Sequence, residues 1–526
     1  ARIPVNPSCS EDEQIEWITK AIIGSADSFA TRLGASKEVC NRALRQENST
    51  RLFQSAIGIR LGVEFTYYQQ RALGRMERTT APDAPNPIIE RENQRFVADN
   101  PKSKDMFERA RRVMIGGVPM NWMTEWPGAF PLFAAQGKGA TITDVDGHAY
   151  VDFCLGDTGA MFGHSPRETV QAATRQMRKG ITMMLPTEDS IWVGEELARR
   201  FGVPYWQIAM TATDANRFAL RMAREATGRR KVLVFNGCYH GTVDEALVRL
   251  VDGRVVPREG AMPPPVDPDV TTKVIEFNDL NALGQALAPR DVAAVLMEPA
   301  LTHCGIVLPQ EGYLGGVRDI TRETGTVVII DETHTWCAGP GGYGAKHGLK
   351  PDMVTLGKPV AGGIPSAAFG ASQEVYDKTI ANMLAETTGV NGLGGTLTGN
   401  ALALAAMRAT LEHVITKEAF DKMVELATLW TKGVARAIKE AGVPWHVVQL
   451  GARAEYRFRE TPPKNGAEAI ASKDSELDQY VHIFALNRGI LLTPFHNMAL
   501  MSPATKRKDV DLHTKVFRES VQELVA

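Results

Sequence analysis

The chain has 526 residues, 44% of them hydrophobic and 23% charged, the make-up of an ordinary folded protein and neither a disordered nor a fibrous one. At about 100–200 residues per domain the length suits about three domains, or fewer in a large α/β enzyme. Lysine and arginine number 59 against 61 acids, a net charge of −2; no global field favours nucleic acid or an anionic membrane, so a charged ligand needs a local site.

The start, Ala1-Arg2-Ile3-Pro4, has no basic stretch leading into an apolar one, and no apolar run approaches the ~20 residues of a membrane span. Six cysteines (Cys9, Cys40, Cys154, Cys238, Cys304, Cys337) lie far apart, without a CxxC pair or zinc spacing. They read as small buried hydrophobes in a reducing compartment, and the expected location is cytoplasmic. Residues 11–29, 37–46 and 63–75 are helix-like, and the proline-rich break at 79–87 reads as a linker. The first hundred residues carry helical periodicity but no cluster of chemical groups. They are expected to form a helical extension or interface piece.

From about residue 150 short β-branched runs alternate with helical patterns. Residues 231–235, 292–297, 326–330 and 353–356 read as buried strands, with 218–226 and 315–324 as helices between them. This predicts an α/β fold, a mostly parallel sheet with helices on both faces, in which ligands collect at the carboxyl ends of the strands. After about residue 405 a long helical stretch, strands within 444–458 and at 489–492, and a terminal helix from 508 predict a smaller α+β domain.

The predicted strand ends carry chemistry. Run 326–330 leads into Asp331-Glu332, 353–356 into Gly357-Lys358, 231–235 into Cys238-Tyr239-His240-Gly241, and 292–297 into Glu298-Pro299. A lysine amine, a buried carboxylate and an aromatic face suit pyridoxal phosphate, which needs a Schiff-base partner, a group that keeps its ring nitrogen protonated, and a stacking surface. Taken singly, a lysine after a strand is ordinarily a surface residue and Asp-Glu a turn or helix start. A phosphate would need N–H donors at a helix N-terminus. The small-residue turns at 210–216 and 394–400 each precede a helix, though simple capping explains such a turn equally well.

The ordered set Gly116-Gly117-Val118, Gly163-His164-Ser165-Pro166, Thr211-Ala212-Thr213-Asp214-Ala215, Tyr239-His240-Gly241, Glu298-Pro299, Asp331-Glu332, Gly357-Lys358 and Gly395-Thr396-Leu397-Thr398-Gly399-Asn400 resembles the class III pyridoxal-phosphate aminotransferases, in the branch of glutamate-1-semialdehyde aminomutase and β-amino-acid aminotransferases. The resemblance covers about residues 103–520. It implies the fold-type I architecture: a large domain with a seven-stranded, mostly parallel sheet, a small α+β domain built from both chain ends, and a homodimer with shared active sites. Applied here, that is a helical extension at 1–100, a first part of the small domain at 101–150, the large cofactor-binding domain at 151–404 and the rest of the small domain at 405–526. By the same resemblance Lys358 is the Schiff-base lysine and Asp331 the partner of the pyridine nitrogen. Tyr239 is the stacking aromatic, Ala212 and Thr213 are the phosphate turn, and Thr396 is the phosphate ligand lent by the other subunit. His334 falls near the cofactor's phenolic oxygen or is a solvated loop histidine; Glu298 orients cofactor-side groups or starts a turn. Two departures are visible: Ala212 stands where the family usually has glycine, and Thr333 where it usually has valine.

The reaction implied is a ping-pong transfer of an amino group from a small-molecule amine to a keto acid, with Lys358 moving the proton. The same parts serve an intramolecular aminomutase or a racemase. A non-catalytic cofactor-binding protein is the reading from another class, and the intact Lys358, Asp331 and Tyr239 argue against it. Relatives that read a substrate carboxylate commonly have an arginine after the Gly-Gly or before a final small-domain strand. Residues 116–123 and 493–498 contain none. A bulky or apolar donor is therefore expected, or one with its carboxylate remote from the amine, with a keto acid such as pyruvate as acceptor. Trp122, Met161, Phe162 and His496 are the expected pocket residues, and Arg453 or Arg457, same-face positions on a predicted strand, the alternative source of charge.

Overall fold

A computed structural model describes residues 87–384 and 391–525. The helix-like stretches at 11–29, 37–46 and 63–75, the break at 79–86, and Cys9 and Cys40 lie outside them. Cys154, Cys238, Cys304 and Cys337 are free and buried.

Strands β1 (Ala134–Lys138), β2 (Thr141–Asp144) and β3 (Ala149–Asp152) form a meander, to which β15 (Ile490–Leu491) adds from the far end of the sequence, parallel to β3. The central sheet has seven strands: β4 (Tyr205–Ala209), β5 (Lys231–Phe235), β8 (Thr272–Ile275), β9 (Val292–Met297), β10 (Val327–Asp331), β11 (Met353–Leu356) and β12 (Ala367–Ala371), in the order β4-β12-β11-β10-β9-β5-β8. Only β12 runs against the rest, antiparallel to both β11 and β4. A hairpin of β6 (Val248–Val251) and β7 (Arg254–Pro257) stands apart, and β13 (His446–Leu450), β14 (Arg453–Arg457) and β16 (Met498–Leu500) form a third sheet.

The strands are apolar throughout because both faces are covered. Val232 and Val234 of β5, Ala294 and Leu296 of β9, and Val327 and Ile329 of β10 pack with Ala215, Phe218 and Ala219 of the helix Ala212–Thr227. Their alternates Leu233, Phe235, Val295, Met297, Val328 and Ile330 pack with Tyr313 and Val317 of the helix Tyr313–Thr324 on the other face. Each Val, Leu, Ile, Phe or Met among them contributes about 1.5–3 kcal/mol by leaving water. Thr211 caps the first of these helices by accepting from the Asp214 N–H, and Gly228 closes it in the left-handed conformation.

Two expectations change. The run 326–330 is a strand one residue further on, so Asp331 is the last residue of β10. Residues 87–99, grouped by texture with the extension, form the helix Pro87–Asp99 and belong to the compact unit that begins at Asn86. The physical reason is burial: Phe96 has no exposed surface and meets the Phe130 ring at 5.0 Å. Glu92, also buried, accepts from Asn487 Nδ2 at 2.8 Å and Arg488 Nη1 at 3.0 Å. Burial pushes the Glu92 carboxyl up, but Arg488, Asn487 and Arg91 outweigh it and bring it down to about 2.

In the C-terminal part the segment 444–458 is the hairpin β13/β14. Gly451 turns it at φ +60, where a Cβ would sit 2.3 Å from the Cys337 carbonyl oxygen. Trp430 of the helix Lys417–Ala441 and Phe517 of the helix Arg507–Val525 pack beside Tyr456 of β14. Among the described residues no helix is long and apolar enough to cross a membrane.

Candidate active site

The carboxyl ends of β10 and β11 lie side by side, with Asp331 paired to Thr355 in the parallel register. Asp331 is buried and well served. His240 Nδ1 donates to Oδ2 at 2.9 Å, Asn216 Nδ2 to the same oxygen at 2.8 Å, and the Thr333 N–H to Oδ1 at 3.0 Å. Asn216 is oriented in turn by the Thr355 hydroxyl, 2.6 Å from its Oδ1. Burial alone would raise the Asp331 carboxyl, but the His240 bond and charge dominate and lower it to about 2. Burial lowers the His240 imidazole, while the Cys238 sulfur and the Asp331 carboxylate raise it, for a net rise to about 10. Asp331 is thus a carboxylate across the whole physiological range.

Lys358 follows β11 with a left-handed backbone, φ +51, unusual for a lysine. Its Nζ donates to the Asp157 carbonyl at 2.8 Å, to Asp157 Oδ2 at 2.6 Å and to His334 Nε2 at 2.9 Å. Asp157 comes from four consecutive left-handed residues, Leu155 (φ 46), Gly156 (φ 60), Asp157 (φ 47) and Thr158 (φ 81). Left-handed backbone costs L-residues roughly 1–2 kcal/mol each, and the run puts both Asp157 on the lysine and Thr158 Oγ1 at 3.1 Å from His334 Nδ1. Burial, and then the Lys358 charge, depress the His334 imidazole well below its ordinary value, so it is neutral and accepts the lysine's proton through Nε2. Asp157 escaped the sequence reading because a left-handed loop has no hydrophobic period.

Ala212 and Thr213 open the helix Ala212–Thr227. Thr211 takes the N–H groups of Asp214 and Ala215, and among the described residues nothing takes those of Ala212 and Thr213. Thr213 Oγ1 accepts from the Thr242 N–H at 3.0 Å. The alanine in place of glycine is accommodated by its neighbour, since a Cβ on Gly357 would come within 2.7 Å of Ala212 Cβ. Tyr239 is half-buried, stacked on His303 at 5.0 Å, tilted against Trp122 at 5.1 Å, and 5.6 Å from the Arg258 guanidinium. Trp122 meets Phe495 edge-on at 5.1 Å. His303 and Phe495 carry no distinguishing motif and went unnoticed in the sequence.

Other expected residues fall elsewhere. Met161 and Phe162 are not pocket wall: both are buried in the main core, with Phe162 edge-on to Phe420 at 5.6 Å. Glu298 starts a turn, accepting from the N–H and hydroxyl of Thr302, and burial pushes its carboxyl up to about 7. Arg453 and Arg457 share a face of β14 with Glu455. The Arg453 Nη2 donates to the Thr302 carbonyl at 2.8 Å and to Glu455 at 3.2 Å, leaving its Nε and Nη1 without partners. His496 is buried, its Nδ1 3.2 Å from Glu455. Thr396 stands exposed on the turn before the helix Ala401–His413.

The residues present fit a planar phosphorylated pyridine aldehyde. An amine (Lys358), a low-lying carboxylate (Asp331), an aromatic face (Tyr239) and two free N–H groups at a helix start converge on strand ends. Buried atoms left without partners stand around them: Thr333 Oγ1, beside Asp331, and Asp157 Oδ1.

Residues 123–516 match the model of the family described as aminotransferase class-III. A curated glutamate-1-semialdehyde 2,1-aminomutase from Desulfitobacterium hafniense strain Y51 is 32% identical over 435 residues, covering 80% of this chain and 98% of that protein. A crystal structure of a glutamate-1-semialdehyde-aminomutase from Pseudomonas aeruginosa PAO1 is 50% identical, with a TM-score of 0.82 over 83% of this chain and 98% of the other. A β-phenylalanine aminotransferase from Variovorax paradoxus is 26% identical, with a TM-score of 0.74 over 83% of this chain and 97% of the other.

Proposed function

This chain belongs to the class-III aminotransferases, and from that premise we propose a pyridoxal-phosphate enzyme that moves an amino group from an amine with a bulky or apolar body to a keto acid such as pyruvate. Bound pyridoxal phosphate supplies the carbonyl that takes up the amino group and the ring that withdraws electrons from the carbon bearing it. The side chains do the rest. Lys358 would hold the cofactor through its amine and would move the proton to and from the substrate carbon, with neutral His334 holding its Nζ. Asp331, fixed by His240 and Asn216, keeps the pyridine nitrogen protonated. The N–H groups of Ala212 and Thr213 would receive the phosphate, and Tyr239 would cover the ring.

The observation that carries the choice of donor is the aromatic box Trp122–Tyr239–Phe495. Two of its three rings, Trp122 and Phe495, come from the stretches 116–123 and 493–498 that lack the carboxylate-reading arginine, and they present carbon rather than a fork of N–H donors. Arg453 and His496 are engaged with Glu455 behind this box and serve as positioning groups. A second reading, intramolecular transfer on glutamate 1-semialdehyde, is supported by the names of the relatives at 32% and 50% identity. Offering 1-phenylethylamine, β-phenylalanine and glutamate 1-semialdehyde in turn, with and without pyruvate, tests both. Pyruvate-dependent conversion of the first two is the expected result. Pyruvate-independent isomerisation of the semialdehyde alone would overturn the transaminase reading in favour of the aminomutase.

The active unit is proposed to be a cytoplasmic homodimer in which Thr396 reaches the partner's phosphate, a role that its exposed turn leaves it free to play. Thr396→Ala is expected to weaken cofactor retention by about 1.5–3 kcal/mol, the worth of a hydrogen bond to a charged group. Equilibrium dialysis beside sedimentation measures it; a fully active monomer would overturn the assignment.

A further inference from the structure

Among the described residues Lys358 has Asp157, His240 has Asp331, and Arg453, Arg457 and His496 share Glu455. Arg258, just after β7, has no carboxylate partner among the described residues. Its place is nonetheless fixed. The Arg258 N–H donates to the Leu247 carbonyl at 2.8 Å. Nη1 donates to the Cys238 carbonyl at 3.1 Å, Nη2 meets His303 Nε2, and the guanidinium lies 5.6 Å from the centre of the Tyr239 ring. Burial first, and then the Arg258 charge, hold the His303 imidazole well below its ordinary value, so Nε2 is an acceptor and neutralises nothing. An arginine remains charged even when half-buried, and a desolvated charge without a counter-ion is costly. Three neutral contacts that aim it at the ring-stacking tyrosine are the arrangement of a group awaiting an anion.

Resting on the transaminase reading above, we propose that Arg258 is the specificity-determining residue that binds the carboxylate of the amino donor. Its position also states which carboxylate. The group beside Lys358 Nζ, at 2.6 Å, is the acid Asp157, which disfavours a carboxylate on the amine-bearing carbon. Arg258 lies 5.6 Å from the Tyr239 ring and makes no hydrogen bond with Lys358, whose Nζ is held by Asp157 and His334, so it serves a carboxylate carried away from the amine. The substrate class is an amino acid whose amine and carboxylate are on different carbons, with an apolar body against Trp122 and Phe495. Asp157 beside the amine and a guanidinium beside Tyr239 thus orient a zwitterion, a discrimination that the aromatic box by itself does not make.

The test compares β-phenylalanine with 1-phenylethylamine, which share an aromatic body and differ in the carboxylate. With holoenzyme and no acceptor, the amino-uptake half-reaction is followed by the cofactor's absorbance. Arg258→Ala is expected to slow β-phenylalanine about 10- to 100-fold in kcat/KM while leaving 1-phenylethylamine within about threefold, and Arg258→Lys to recover part of the loss. Calorimetry supplies a readout independent of turnover: 3-phenylpropanoate, which has the carboxylate and no amine, should bind the wild type and lose affinity about 10- to 100-fold in Arg258→Ala. Three results would overturn the proposal: equal losses for both donors, 3-phenylpropanoate binding that is absent or independent of Arg258, or a variant that merely releases cofactor. Turnover of 1-phenylethylamine reports separately on the transaminase reading, so the two can fail independently.

Discussion

Replacing Lys358 with alanine is expected to abolish amino transfer while leaving a folded protein. The proposed proton-moving role alone would account for a loss of about 10²–10⁴-fold, and the proposed anchor for the cofactor would go with it. The fold should survive because the side chain is about a quarter exposed and lies outside the apolar core, so little core is lost. What changes locally is Asp157. Burial pushes its carboxyl up, and the Lys358 charge beside it holds it well below the usual carboxylate range. Without the lysine it should protonate nearer the ordinary range, and the strained left-handed run that carries it loses its purpose. Single-turnover assays beside a denaturant melt measure both effects. Ordinary turnover by Lys358→Ala would remove Lys358 from the mechanism, and Lys358→Arg, which keeps the charge without a usable amine, is expected to be as inactive as the alanine variant.

Substituting Asp331 with asparagine should cost nearly as much for a different reason. The isosteric amide cannot keep the pyridine nitrogen protonated, and removing a preorganised charge of this kind typically lowers kcat about 10²–10³-fold. It also strands a buried imidazole, and breaking a buried pair from one side costs about 3–5 kcal/mol. The pair writes itself into the pH dependence of stability. The Asp331 carboxyl is lowered from 3.8 to about 2, so its contribution is complete above about pH 4 and is lost as pH falls toward 2. The His240 imidazole is raised from 6.5 to about 10, so its contribution is complete below about pH 6.5 and is lost as pH rises toward 10. Between these limits the pair stabilises fully. Denaturant midpoints of the wild type should fall on both sides of that window, and Asp331→Asn should flatten the alkaline limb by returning His240 toward neutrality. A variant whose alkaline limb is unchanged would show that His240 is not charged by this contact.

The central strands β5, β9 and β11 could be bounded from their residues alone because they are buried on both faces and so read as unbroken apolar runs. β4, β8 and β12 could not. Ala367-Ala-Phe-Gly-Ala371 has no β-branched residue, and what makes it a strand is its place between β11 and β4, which supply partners for its backbone groups. The same division runs through the site. Lys358, Asp331 and Tyr239 stand just after, or at the end of, runs whose strand character is local, and in a parallel sheet the ends of strands meet; their chemistry is visible before any fold is built. Met161 and Phe162 look like pocket wall in sequence, since an apolar side chain is the same whether it faces a ligand or the core, and their burial in the main core, with Phe162 edge-on to Phe420, assigns them to the core. Asp157 and Arg258 sit in a left-handed loop and just past a hairpin, where no periodicity points a side chain anywhere. Their meaning, one charge on Lys358 and another beside Tyr239, arises from contacts between residues 201 and 19 positions apart. Local pattern specifies which segments bury their apolar faces, and that is enough to bring an amine and a carboxylate to neighbouring strand ends. Which charges then face the substrate depends on the distances between loops that only the packed sheet sets.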